Sequence, residues 1–316
     1  MDYLLIIAGF VLLTAGANLL IKGAAGLAAR LNVSDLVIGL TVVAFGTSMP
    51  EMVVNMVAAV RGNTEIAITN VLGSNSFNTY VILGLAALFY PLPAQKSTIR
   101  TEIPMSLFAA LAVLVLGSGL FFSPVIGLSR TDGVLLMVCF AGFMIYILRL
   151  AKQGKAPLPE EGYVPIPIGK AILFVLAGLA ALALGAEMIV RSAIRMATSW
   201  GVSEAVVGVT IVALGTSLPE LATSVVAAYR KSSDIAVGNI IGSNIFNVFL
   251  VLGISSVIRP LPAYGNLVTD AAVAATGSLM LLVFLGTGKK RTLNRTHGIL
   301  LLLVYAVYLA WIISTL

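Results

Sequence analysis

Val37-Ile-Gly-Leu-Thr-Val-Val-Ala-Phe-Gly-Thr-Ser-Met-Pro-Glu51 decides how this chain is built, because it is written twice. It returns as Val206-Val-Gly-Val-Thr-Ile-Val-Ala-Leu-Gly-Thr-Ser-Leu-Pro-Glu220. A second motif, Asn70-Val-Leu-Gly-Ser-Asn-Ser-Phe-Asn78, returns as Asn239-Ile-Ile-Gly-Ser-Asn-Ile-Phe-Asn247. The shift is 169 residues in both cases (51 to 220, 78 to 247), and Pro91-Leu-Pro93 and Pro260-Leu-Pro262 obey it too. From Ser34 to Pro93, 28 of 60 positions equal their partners without a gap. Shared apolar composition cannot align Gly, Pro, Thr, Ser, Asn and Glu in this way, so the chain is an internal duplication.

Around these motifs the chain is 59% hydrophobic and 10% charged over 316 residues, with a mean hydropathy of +1.05. Soluble domains carry roughly 25% charged residues, so there is too little charge here to face water on all sides. The apolar content excludes a disordered chain. One cysteine, Cys139, excludes a disulfide scaffold, and with the single histidine, His297, it excludes a zinc module. An integral membrane protein remains. Runs long enough to cross a bilayer, about 20 residues each, fall at 3–29, 34–60, 66–90, 102–122, 131–150, 168–195, 203–229, 235–258, 267–286 and 297–315. They are continuously apolar, which favours helices over the alternating strands of a barrel. Arg61-Gly62-Asn63, Pro91-Leu92-Pro93 and Ser129-Arg130-Thr131-Asp132-Gly133 read as turns between them.

The expected fold is therefore all-α: ten transmembrane helices, with residues 1–150 and 168–316 as two five-helix repeats and 151–167 as a cytoplasmic linker. Five is odd, so the second copy enters the membrane upside down, the inverted repeat common in secondary transporters. With the N-terminus outside, 14 of the 19 Lys and Arg residues fall on inner loops, which places both termini outside. The same bias explains the net charge of +6 without a nucleic-acid partner. Lys22 is the awkward member of that count, since it lies well inside the first span. The first span follows Met1-Asp2 with no basic leader and is too long for a cleavable signal.

Two carboxylates sit where lipid forbids them. Glu51 and Glu220 are mid-span and at equivalent repeat positions, where a charge costs about 2.5–3.5 kcal/mol even on insertion scales. Each follows a proline. Pro50 and Pro219 cannot donate to the carbonyls of Gly46 and Gly215, so each helix is expected to break and free backbone oxygens. Helical spacing puts Thr47, Ser48 and Glu51 on one face, and Ser74 with Asn78 on another. The second copy supplies Thr216, Ser217, Glu220, Ser243 and Asn247. Carboxylates, hydroxyls and amide carbonyls, without thiolate or imidazole, form the donor set of a hard cation such as Ca²⁺.

Gly46-Thr-Ser-Met-Pro-Glu51 and Gly73-Ser-Asn-Ser-Phe-Asn78, with their second copies, resemble the paired alpha-repeats of the sodium/calcium exchanger family, within the calcium/cation antiporters. The resemblance implies alternating access at one central site where Ca²⁺ and Na⁺ compete. It assigns the ten polar residues named above as ion ligands and adds the backbone carbonyls of Ala44 and Ala213. It also makes the first and sixth spans a sliding gate pair. Some relatives carry an acid where Asn247 stands. Here asparagine fills both copies, so two formal negative charges line the site, enough to balance one Ca²⁺.

The expected activity is secondary antiport of Ca²⁺ against Na⁺, with no cofactor, no obligatory protein partner and the lipid bilayer as surroundings. A proton/calcium exchanger and a potassium-dependent exchanger are the near alternatives. A cation channel is the alternative from another class, disfavoured because a pore needs rings of ligands. A membrane enzyme is disfavoured because the acids lack a nucleophile–histidine pair. Among weaker signals, Glu187 stands where the first copy has Asn18 and is expected to pair with Arg191. Asn55 either extends the ion path or bonds a neighbouring helix; Thr41, Ser76 and Ser224 read as interhelical packing. His297 reads as a headgroup contact. The absence of a large inserted loop points to a prokaryotic plasma membrane.

Overall fold

The computed structural model describes residues 2–118, 127–153, 166–200, 213–287 and 291–315. Among these residues eleven helices carry the architecture: α1 (Asp2–Leu31), α2 (Asp35–Thr47), α3 (Met49–Arg61), α4 (Thr64–Phe89), α5 (Thr98–Gly117), α6 (Arg130–Lys152), α7 (Ile168–Ser199), α8 (Leu218–Tyr229), α9 (Ser233–Ile258), α10 (Leu267–Thr287) and α11 (Arg295–Ser314). Among the described residues, eight are long and apolar enough to cross a bilayer, nine if the bent pair α2–α3 is one span. The expected seventh span, 203–229, lies outside the described residues as far as position 212, and so does most of the expected linker. Residues 151–153 are helical, in the last turn of a helix that runs Arg130–Gln153.

Local chemistry sets the helix ends. Ser34 caps α2 by accepting from the Val37 amide at 3.4 Å. Gly62 ends α3 in the left-handed region at φ 86°, where its amide reaches the carbonyls of Ala58 and Ala59. The stretch from Ser129 is a helix start and not a turn: the Ser129 amide donates to Asp132 at 2.8 Å, and the Asp132 amide returns a bond to the Ser129 hydroxyl at 3.2 Å. This reciprocal capping box commits Arg130 to α6.

The two copies interlock, running in opposite directions where they meet. A Cβ on Gly9, Gly16 or Gly23 of α1 would lie 2.7–2.8 Å from the carbonyls of Gly185, Gly178 and Ala171 of α7. Ascending numbers face descending ones, so these repeat-equivalent helices pack antiparallel, backbone against backbone. Gly84 of α4 meets Gly298 of α11, and its counterpart Gly253 of α9 meets Gly133 of α6. Both Pro-Leu-Pro stretches pair across copies as well. Leu92-Pro93 runs antiparallel to Thr292-Leu293, and Leu261-Pro262 to Gly127-Leu128. Around this framework α4 and α9 are the buried centre, whereas α6 and α11 turn apolar side chains such as Leu148, Leu303 and Val307 outward.

Candidate functional site

Two helix breaks meet in the middle of the molecule. The first falls at Ser48 (φ −83°, ψ 4°), where α2 and α3 diverge by 46°. The second, at Ser217 (φ −86°, ψ 4°), separates Ala213–Gly215 from α8. Each proline lies in the first turn of the helix after the break, the position where its missing N–H costs nothing. The expected break is thus observed. The expected single helical face carrying Thr47, Ser48 and Glu51 is not, because that same break lies between Thr47 and Glu51.

The side chains engage the opposite copy instead. The Ser48 hydroxyl donates to Glu220 Oε1 at 2.9 Å, and the Ser217 hydroxyl to Glu51 Oε1 at 3.3 Å. Ser243 lies 3.5 Å from both Glu220 Oε1 and the Ala44 carbonyl. Its counterpart Ser74 is buried in α4. Asn78 and Asn247 each open a stretch of wider π-helical turns, Asn78–Ile82 and Asn247–Leu252, which re-aims a side chain within a long helix. Their amides are clamped across the copies: Asn78 Nδ2 donates to Asn244 Oδ1 at 3.2 Å, and Asn247 Nδ2 to Asn75 Oδ1 at 3.1 Å. Ala213 starts the described part of its segment.

Glu51, Glu220, Asn78 and Asn247 are all 0% exposed. Among the described residues, Glu51 Oε2, Glu220 Oε2, Asn78 Oδ1, Asn247 Oδ1 and Ser74 Oγ have no hydrogen-bond partner. Neither glutamate has a cationic partner there: the ion pairs are Arg191–Glu187 and Arg195–Asp2, both away from this centre. Buried acceptors are normally satisfied, and a buried carboxylate without a counter-charge is strongly unfavourable. Four acceptor oxygens, two of them from carboxyl groups, and a hydroxyl suit a hard cation.

Behind these groups lies a layer that spacing alone did not reveal. The Thr216 hydroxyl donates to Asn70 Oδ1 at 3.4 Å, Asn70 Nδ2 to Asn55 Oδ1 at 2.8 Å, and Asn55 Nδ2 to the Ala67 carbonyl at 2.9 Å. The mirrored chain runs from Thr47 to Asn239 Oδ1 at 3.0 Å, from Asn239 to Ser224 at 2.9 Å, and from Ser224 to the Ala236 carbonyl at 3.4 Å. Asn55 therefore bonds its neighbouring helix, as does Ser224. Thr41 turns back onto Val37 of its own helix. The signal for Asn70, Asn239, Asn75 and Asn244 was present in the duplicated motifs, since all four recur at the repeat shift.

Against both breaks lies α7. A Cβ on Gly46 would press on Leu179, and one on Gly215 on Val190. Between them a cavity of about 630 Å³ is lined by Glu187, Pro50, Thr216 and Pro219 among others. Glu187 pairs with Arg191 one turn along, as the spacing predicts.

Residues 1–149 and 170–314 match the profile of the sodium/calcium exchanger protein family. The chain belongs to this family. Exchanger-family relatives along nearly the whole length include the putative antiporter CaxA of Alkalimonas amylolytica, 36% identical over 320 residues, covering 96% of each chain. Another is the sodium/calcium exchanger MaX1 of Methanosarcina acetivorans, 31% identical over 345 residues, covering 98% of this chain and 97% of the relative. The solved sodium-calcium exchanger NCX_Mj, soaked with 10 mM Na⁺ and zero Ca²⁺, superposes with a TM-score of 0.84 at 32% identity, covering 98% of each chain. The match is to a family of membrane transporters, consistent with an all-α, multi-spanning exchanger fold.

Proposed function

We propose that this chain is a secondary active antiporter exchanging Ca²⁺ for Na⁺ by alternating access at the central site. The carrying observation is the convergence of Glu51 and Glu220, fully buried, each with an oxygen unpartnered among the described residues and each held by the opposite copy's serine. The ligands are Glu51, Glu220, Thr47, Ser48, Thr216, Ser217, Ser74, Asn78, Ser243 and Asn247, with the carbonyls of Ala44 and Ala213. Support for Ala44 comes from the approach of Ser243 to its carbonyl. Two carboxylates offset one Ca²⁺, and the neutral Asn78 and Asn247 add oxygens without charge. The relatives' printed descriptions, sodium/calcium exchanger and antiporter, point the same way.

The chain forms ten spans in two inverted five-helix repeats, residues 1–150 and 168–316, joined by the 151–167 linker. Antiparallel packing of the repeat-equivalent α1 and α7 supports the inversion. Those two helices are the moving pair: their contact is glycine backbone on backbone, a smooth seam along which helices can slide. The excess of Lys and Arg on the inner loops supports both termini outside, and the membrane is a prokaryotic plasma membrane in this reading.

The test is ⁴⁵Ca²⁺ uptake by membrane vesicles loaded with Na⁺ and then diluted. Uptake is expected to follow the Na⁺ gradient. Uptake that ignores Na⁺ and follows an imposed pH gradient overturns the Na⁺ coupling, and a requirement for K⁺ makes the exchanger potassium-dependent. Fluxes far above roughly 10⁴ per second exceed what μs–ms rearrangements allow and indicate a channel.

A further inference from the structure

The two gate helices differ at one charged position, and the difference leaves a cationic cavity. Arg191 of α7 is the repeat counterpart of Lys22 of α1 and is neutralised by Glu187. Where α7 has Glu187, α1 has Asn18, whose amide donates to the Thr14 carbonyl at 2.8 Å. Lys22 thus lacks the carboxylate that its counterpart possesses. Lys22 lies nine residues before Leu31, the end of α1, about 14 Å along the axis. Beside it is a cavity of about 410 Å³, lined by Ile21, Lys22, Phe174, Arg230 and Ser232 among others. Lys170 sets its ammonium 5.5 Å from the centroid of the Phe174 ring on the same wall. Among the described residues no carboxylate lines the cavity.

We infer that this cavity binds an anionic phospholipid: its phosphate between Lys22 and Arg230 with the Ser232 hydroxyl, its acyl chains against Ile21 and Phe174. Two observations favour a lipid over a soluble anion. Arg230 directly follows α8 and Lys170 lies in the first turn of α7, at helix ends where headgroups lie, Lys22 meets the cavity from about 14 Å inside α1, and the walls beside them are apolar. Basic pockets between spans on the cytoplasmic side recruit phospholipid headgroups in this way. The bound lipid has a mechanical consequence, which rests on the exchange reading above. Lys22 belongs to α1, Lys170 to α7, and Arg230 to the turn directly after α8, the helix that carries Glu220. One lipid therefore ties the moving pair to the ion-binding core and restrains its sliding.

Binding is tested without transport, so its outcome is independent of the exchange reading. The purified full-length protein is titrated with phosphatidylglycerol or phosphatidylcholine and followed by native mass spectrometry. The wild type is expected to prefer phosphatidylglycerol. That preference should fall about fivefold in Lys22→Gln and about 25-fold in the double variant with Arg230→Gln, the loss of one surface cation each time. Lys22→Arg should retain it, showing that charge and not folding is responsible, and Arg149→Gln should leave it unchanged. Equal preference in wild type and double variant overturns the proposal. So does displacement of phosphatidylglycerol by millimolar inorganic phosphate, which assigns the cavity to a soluble anion.

Discussion

Behind the two glutamates the copies are braced by different chemistry. On the first copy's side, Thr216 rests on Asn70, and Asn70 on Asn55, an amide that both accepts from Asn70 and donates onward to the Ala67 carbonyl. On the second copy's side, Thr47 rests on Asn239, and Asn239 on Ser224, a hydroxyl that accepts from Asn239 and donates to the Ala236 carbonyl. The residues around the two glutamates are duplicated almost letter for letter, while the outermost brace is not. An amide has its donor and acceptor fixed in one plane; a hydroxyl can re-aim. The first brace thus ends in a planar amide with separate donor and acceptor atoms, and the second in a single hydroxyl oxygen that serves as both.

The comparison breaks most completely at its centre. Glu51→Gln or Glu220→Gln removes half of the site's negative charge, and each is expected to abolish Na⁺-driven ⁴⁵Ca²⁺ uptake. Unchanged uptake in either variant refutes the site. Asn247→Asp adds a third carboxylate on one side only. It should tighten Ca²⁺ about tenfold in a binding titration and make that binding depend more steeply on pH than in the parent. It should also lower thermal stability, because Asn247 Nδ2 now donates to Asn75 Oδ1 and a carboxylate would face that oxygen with no hydrogen between. Unaltered Ca²⁺ binding would mean that residue 247 faces away from the ion.

Smaller effects test the braces themselves. Asn70→Ala leaves Asn55 Oδ1 buried without its donor and should weaken Ca²⁺ about fivefold. Asn239→Ala should cost less, since Ser224 keeps its bond to Ala236. Equal losses in the two binding titrations would remove the asymmetry. The smallest change is expected from exchanging the outer members: Asn55→Ser should alter Ca²⁺ affinity by less than about twofold while making the first brace as adjustable as the second. A large loss would show that Asn55 itself reaches the ion path.

Much of this arrangement is visible in the order of residues. Span positions follow from apolar run length, because hydrocarbon thickness imposes it, and the helix breaks follow from Pro50 and Pro219. The two glutamates are recognisable because no lipid-facing role tolerates a carboxylate. Other features escaped for definable reasons. Spacing along one helix suggested that Ser48 serves Glu51, whereas the break turns Ser48 toward Glu220. The glycines at 9, 16 and 23 look like ordinary small residues until α7 is laid against them. Ser129 and Asp132 resemble turn residues, and only their reciprocal bonds show a helix start.

Local rules of chain chemistry therefore settled that this is a membrane protein, that its unit occurs twice and that two acids fall at matched mid-span positions, since hydropathy, proline geometry and a repeat shift need no partner to act. Which serine meets which glutamate, which asparagine braces which threonine, and why Lys22 stands beside Arg230 at one cavity were decided only when the antiparallel copies packed together. Those are relations between residues far apart in the chain, and only the packing of distant helices brings their atoms within bonding distance.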